Sequence, residues 1–178
     1  EQAGAAYTAV NPQALVPTLV DGDVRLNQSM AIIEYLDETR EGARLLPADA
    51  LGRARVRSLS QLIACEIHPI NNLRVLKYLK SAMGQAQPAI DGWYRHWCEE
   101  GLAAFERQLA DGKAGRYCHG DAVTMADICL VPQIFNAKRF EVDLSRYPTT
   151  MAIFDRLMAL PAFDAAQPSK QPEAARAA

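Results

Sequence analysis

No excess of basic residues marks this sequence: 19 lysines and arginines stand against 21 acidic residues in 178, a formal net charge of −2. That balance lacks the electrostatic footprint of a nucleic-acid-binding surface. Long hydrophobic runs are missing too, since the apolar stretches are short and broken by charge, and no membrane-spanning helix is expected. No basic stretch leading into an apolar one reads as a secretory signal. Cysteine is sparse and scattered. Cys65, Cys98, Cys118 and Cys129 form no C-x-x-C pair, and with histidine they make no cluster at zinc-ligand spacing. They lie in apolar segments and read as small buried hydrophobes in a reducing compartment, so the expected location is the cytoplasm. No segment repeats.

What remains is a globular composition, 49% hydrophobic and 22% charged, long enough for one good-sized core or two small ones. Residues 1–40 have mixed character. Val16-Pro17-Thr18-Leu19-Val20 is a β-rich run, Asp21-Gly22 a hairpin turn signal, and Val24 to Leu26 resumes the extended pattern. Ser29 can cap a helix from Met30 to about Thr39, and Glu41 to Asp49 reads as a linker. Everything from 50 to 178 reads as helical. Leu59, Leu62, Ile63, Ile67, Ile70, Leu73, Leu76 and Leu79 recur at spacings of three and four, which predicts one long helix from Arg53 to Met83 bent at Pro69. A second helix follows Pro88 with Ile90, Trp93, Trp97, Phe105 and Leu109 inward; Asp111-Gly112 ends it. Thr124 and Asp127 open a third in the manner of a capping box, and Pro148 a fourth. From Gln167 the tail, with Pro168 and Pro172, reads as an extended strap or as disordered.

Two stretches carry chemistry. A Val16-Pro17 bond at a strand entrance is a candidate cis peptide, which would turn the Val16 backbone outward to pair with an extended ligand. Its bland alternative is an ordinary trans proline. Gln28-Ser29 at a helix start suits a carboxylate, and the competing reading is a serine that only caps its own helix. Further on, His68 and Asn72 are four apart and would share a face of a straight helix, with Arg74 roughly 160° away. The plain readings there are a packed histidine and a solvated arginine. Arg139 could equally be a cation complementing a helix end.

Taken together, Asn11 to Leu19, Gln28-Ser29-Met30-Ala31-Ile32-Ile33-Glu34-Tyr35-Leu36, Arg44-Leu45-Leu46-Pro47 and Thr124-Met125-Ala126-Asp127 with Leu130-Val131-Pro132-Gln133 resemble the zeta-class glutathione transferases. Cys65 to Arg74 resembles the maleylpyruvate isomerases among them in particular. The resemblance covers nearly the whole chain. It implies an α/β plus all-α fold, a thioredoxin-like domain (1–40) followed by an all-helical domain (50–178). It implies glutathione as cofactor and cis–trans isomerisation of maleylpyruvate or maleylacetoacetate. By position, Val16, Pro17, Gln28 and Ser29 become glutathione contacts, with Gln13, Glu66, His68 and Asn72 beside them, Glu66 acting across a homodimer interface. Arg74 and Arg139 become contacts to a dicarboxylate substrate, whose carboxylates suit planar, permanently charged guanidiniums. In this family a Ser or Cys beside an Arg after the first strand steadies the thiolate, so a strand–helix–strand unit of roughly 30 residues or more is expected ahead of Glu1. Two other functions stay open: a transferase acting on α-halo acids, and a non-catalytic binding module of this fold.

Overall fold

The computed structural model describes residues 4–42 and 44–172. They fall into two compact units that divide between Leu46 and Pro47.

In the first unit a short helix α1 (Ala5–Thr8) precedes a two-stranded antiparallel sheet, β1 (Thr18–Asp21) and β2 (Val24–Asn27), and helix α2 (Ser29–Thr39). Asp21 pairs with Val24 across the turn and Thr18 with Asn27 at the far end. The turn needs Gly22, whose φ of +60° lies where a side chain is disfavoured. Asp21 then ties α2 to the hairpin: its carboxylate accepts the Tyr35 hydroxyl at 2.8 Å and pairs with Arg40. Those two donors hold the Asp21 pKa below the usual carboxylate range.

The second unit is helical: α3 (Ala50–Gln61), a π-helical segment (Leu62–Ile67), α4 (Leu73–Ser81), α5 (Gln87–Leu109), α6 (Met125–Arg139), α7 (Pro148–Met158) and α8 (Pro161–Ala165). Single 3-10 turns lie at Leu144–Arg146 and Pro168–Lys170. Its core draws Val56 and Leu59 from α3, Leu102 and Phe105 from α5, Leu130 and Ile134 from α6, and Ile153 and Leu157 from α7. Asp49 caps α3 by accepting from the Gly52 amide at 2.7 Å. At the start of α6 the fully buried Asp127 carboxylate accepts the amide and hydroxyl of Thr124, both at 2.8 Å, and the Cys118 amide at 2.9 Å. It therefore closes the loop before α6 as well as capping the helix.

Three expectations need correction. The long helix from Arg53 to Met83 does not exist. Pro69 lacks the N–H that an α-helix would require there, and the chain widens ahead of it: the His68 amide reaches back five residues to Ile63 at 2.9 Å. The helix then stops, and α4 begins afresh behind Asn72. In α5 the inward stripe is Ile90, Tyr94, Cys98, Leu102, Phe105 and Leu109, while Trp97 lies at the surface, packed edge-on against Trp93. Trp93 and Trp97 share a face one step round the helix from the buried one. Among the cysteines, Cys98 and Cys118 are buried and Cys129 half-buried, but Cys65 is exposed, two residues from the inward-facing Ile63 and Ile67 and so on the opposite face. The start of the tail forms the turn at Pro168–Lys170, and its end (173–178) lies outside the described residues.

Candidate active site

In the first unit the bond between Val16 and Pro17 is cis, the geometry the resemblance implies. Val16 is 66% exposed, a high value for an apolar side chain. Its backbone N–H and C=O enter no hydrogen bond among the described residues. Gln28 occupies the N-cap position of α2 with φ +70°, and such positions in a non-glycine residue cluster where function constrains the backbone. Ser29 is thus the first residue of α2, and the expectation that it caps the helix is wrong: its hydroxyl has no partner among the described residues. That leaves a free hydroxyl at a helix N-terminus, where anionic groups are favoured. The Gln28 carboxamide donates to the Gln13 side chain at 3.0 Å. All five candidates of this unit, Gln13, Val16, Pro17, Gln28 and Ser29, are therefore linked through one turn and one helix start.

In the second unit Glu66, His68, Asn72 and Arg74 lie along the π segment, the break at 68–72 and the first turn of α4. Because the helix is interrupted, the shared face expected for His68 and Asn72 does not apply. Asn72 is the N-cap of α4, its side-chain oxygen accepting from the Arg74 amide at 3.1 Å. His68 is exposed overall, and partial desolvation lowers its pKa below the usual imidazole value. Glu66 is exposed, and with Cys65, Arg57, Ser58 and Gln108 it lines an open groove of about 460 Å³. Arg74 and Arg139 are exposed, and neither makes an ion pair among the described residues.

Helix α5 links the two arginine-bearing segments. The Trp93 indole donates to the Ile70 carbonyl at 2.9 Å, and the buried Asn71 side chain donates to the Tyr94 carbonyl at 3.2 Å. The Tyr94 ring stacks on Phe140, centroids 3.5 Å apart and planes 4° from parallel. Burial pushes the Tyr94 hydroxyl up to about 12, against the opposing charge of Arg139. Consecutive residues of one helical turn thus hold the break before Arg74 and the residue after Arg139. Sequence reasoning gave no individual part in the site to Trp93, Tyr94, Asn71, Tyr7 or Asn11. The single signal available was Asn11 standing directly before Pro12, in a stretch already singled out for Val16 and Pro17.

Two family models match the chain: Glutathione S-transferase, N-terminal domain over residues 1–39, and Glutathione S-transferase, C-terminal domain over residues 87–165. A probable maleylacetoacetate isomerase of Vibrio cholerae is 49% identical over 174 residues, 98% of this chain and 80% of that protein. The holo structure of a bacterial zeta-class glutathione S-transferase, a maleyl pyruvate isomerase, superposes with a TM-score of 0.94 at 47% identity, covering 97% of this chain and 82% of that one. This chain belongs to the zeta class of the glutathione transferases. The maleylacetoacetate isomerase of Methylobacterium extorquens AM1, solved with bound malonate and GSH, matches this transferase with a TM-score of 0.94 at 39% identity, over 97% of this chain and 82% of that one.

Three thiols of this zeta-class transferase are raised well above the ordinary cysteine value. Burial pushes Cys98 and Cys129 up to about 11, and raises Cys118 further with the Asp127 carboxylate beside it. The described residues include no cluster of three or more His, Cys, Asp or Glu side chains able to hold a metal.

Proposed function

We propose that this protein is a glutathione-dependent isomerase that converts maleylpyruvate or maleylacetoacetate to the fumaryl isomer. The observation that carries the reading is the pair of exposed guanidiniums without ion-pair partners, Arg74 and Arg139, whose segments are held by one turn of α5. A dicarboxylate needs two such receptors, and relatives similar to this chain over almost its whole length are named for this reaction.

The residues of the first unit fit glutathione. Val16 offers an open N–H and C=O to a peptide main chain, and Ser29 offers a hydroxyl and a helix N-terminus to a carboxylate. Gln28, braced by Gln13, lies beside that carboxylate. Glutathione, when bound, supplies the thiol nucleophile for reversible addition to the substrate's double bond. The chain's own part is to bind and orient. Arg74 and Arg139 each grip a substrate carboxylate through paired N–H donors, fixing which carbon faces the thiol and stabilising negative charge that develops next to a carboxylate. His68 and Asn72 hydrogen-bond the peptide cofactor. Glu66 holds its amino group across the two-fold interface of a homodimer. Residues 1–40 form part of a thioredoxin-like glutathione-binding domain, 41–49 the linker and 50–178 the helical domain. The working compartment is the cytoplasm.

The test is a maleylpyruvate isomerisation assay with and without glutathione. Replacing Arg74 or Arg139 with alanine is expected to raise the KM for the dicarboxylate by about tenfold or more, the worth of a charge-assisted contact. The KM for glutathione should stay within about twofold. Turnover that does not need glutathione, or two arginine variants with an unchanged dicarboxylate KM, would overturn the assignment.

A further inference from the structure

We propose that Tyr7 and Asn11 form a hydrogen-bonded clamp that positions the Val16 peptide, and so sets the affinity for glutathione without touching it. The inference rests on the reading of Val16 as a cofactor contact. Its basis is where the hydrogen bonds of the turn go. The Leu15 carbonyl accepts two donors, the Tyr7 hydroxyl at 2.6 Å and the Asn11 side-chain amide at 2.7 Å. The Thr18 hydroxyl meets the same two groups, at 2.9 and 3.2 Å. The residues on either side of Val16 and Pro17 are therefore pinned to one pair of side chains. Val16 between them is exposed and free to bond elsewhere.

Asn11 does more than its neighbour. Its side-chain oxygen accepts the Gln13 amide at 3.1 Å and is approached by the Asn27 carboxamide at 3.5 Å. Asn27 directly precedes Gln28. One carboxamide, 1% exposed, thus joins Gln13, Leu15, Thr18 and the end of β2. Only a short side chain with both donor and acceptor can do this. Aspartate at neutral pH would lose the donor facing Leu15, and leucine would leave the Gln13 amide without its acceptor. A backbone edge held in its bound geometry pays less entropy when a peptide pairs with it. Tyr7 and Asn11 are positioning residues in that sense.

Tyr7→Phe removes one hydroxyl and keeps the ring, so it is the first variant to make; Asn11→Ala is the second. Glutathione affinity is read by calorimetry, both Michaelis constants by the isomerisation assay, and folding by thermal denaturation. Tyr7→Phe should weaken glutathione binding about 3- to 10-fold, the scale of one net hydrogen bond. The dicarboxylate KM, and kcat at saturating glutathione, should stay within about twofold. A folded Tyr7→Phe protein with native glutathione affinity overturns the clamp. A loss shared equally by both substrates also overturns it, since that marks general destabilisation. Should Asn11→Ala fail to fold, Tyr7→Phe alone decides. If the unsubstituted protein binds no glutathione, the underlying reading fails, and this inference with it.

Discussion

Gly101 is the position where one added methyl group should be felt furthest. It lies in α5 directly over Ile67, the last residue of the π segment. A Cβ built on Gly101 would lie 2.2 Å from Ile67 Cγ1 and 2.4 Å from Cδ1. Carbon atoms pack best at about 3.5 Å or more, so one partner must yield by about 1.3 Å. Ile67 has little room to do so, being fully buried and β-branched, with few rotamers open to it. Overpacking of this kind costs about 1–3 kcal/mol, and with Ile67 unable to swing aside the upper part of that range, about 2–3 kcal/mol, applies. Replacing a helical glycine by alanine returns about 1 kcal/mol of propensity. The net for Gly101→Ala is a loss of about 1–2 kcal/mol, or a drop in Tm of roughly 2–8 °C for a chain of this size. Urea denaturation measures the first quantity and a thermal melt the second. The double variant isolates the cause: with Ile67→Ala already in place, Gly101→Ala should become neutral or stabilising. Since Glu66 and His68 flank Ile67, the single variant should also raise a Michaelis constant in the assay. A Gly101→Ala protein as stable as its parent, or more stable, would refute the close approach and the argument built on it.

Two further outcomes follow from the electrostatics. Burial pushes the Glu106 pKa up, but the Thr150 hydroxyl and the amides of Thr150 and Thr149 outweigh it and hold the pKa below the ordinary carboxylate value. The stabilisation is therefore present above about pH 4.5, where the unfolded carboxylate is ionised, and is lost as pH falls through the lower folded value. Glu106→Gln should shrink the difference between urea midpoints at pH 7 and pH 3.5; an unchanged difference would count against the cap. In native protein at pH 8, iodoacetamide should label the exposed Cys65 first, with the buried Cys98 and Cys118 protected until unfolding. Peptide mapping reads this, and early labelling of Cys98 would contradict its burial.

Much of the fold could be read from the sequence because its signals were local. Asp21-Gly22 between β-rich runs gives a hairpin, Thr124 with Asp127 opens a helix, and Pro148 begins another; each cue acts within one turn of chain. The stretch around Pro69 was not legible, because apolar spacing continues unbroken through a region where the backbone cannot. Periodicity reports which side chains are apolar. It does not report how the chain disposes of a missing N–H, and here it does so by widening, stopping and restarting on Asn72. Ser29 was misread by one position, since the positive φ at Gln28 that makes Gln28 the cap has no glycine to announce it. Of the candidate site, the residues of the first unit could be named through family resemblance, and their supports could not. Asn11 and Tyr7 act through hydrogen bonds to residues up to sixteen positions away, and no pattern in one sequence encodes those. For Arg74 and Arg139 the sequence supplies the charge, and only the packing on α5 connects them.

Under the proposed reading of Arg74 and Arg139, that packing has a consequence for selectivity. A substrate with two carboxylates is measured by the span between the groups that receive them. Where two such groups sit on independent loops, the span drifts and diacids of several lengths are admitted. Here both segments are fastened to successive residues of one helix, Trp93 and Tyr94. The span is then a property of a rigid rod. Altering the acceptable chain length would mean repacking the Tyr94–Phe140 stack, and changing an arginine alone would not achieve it.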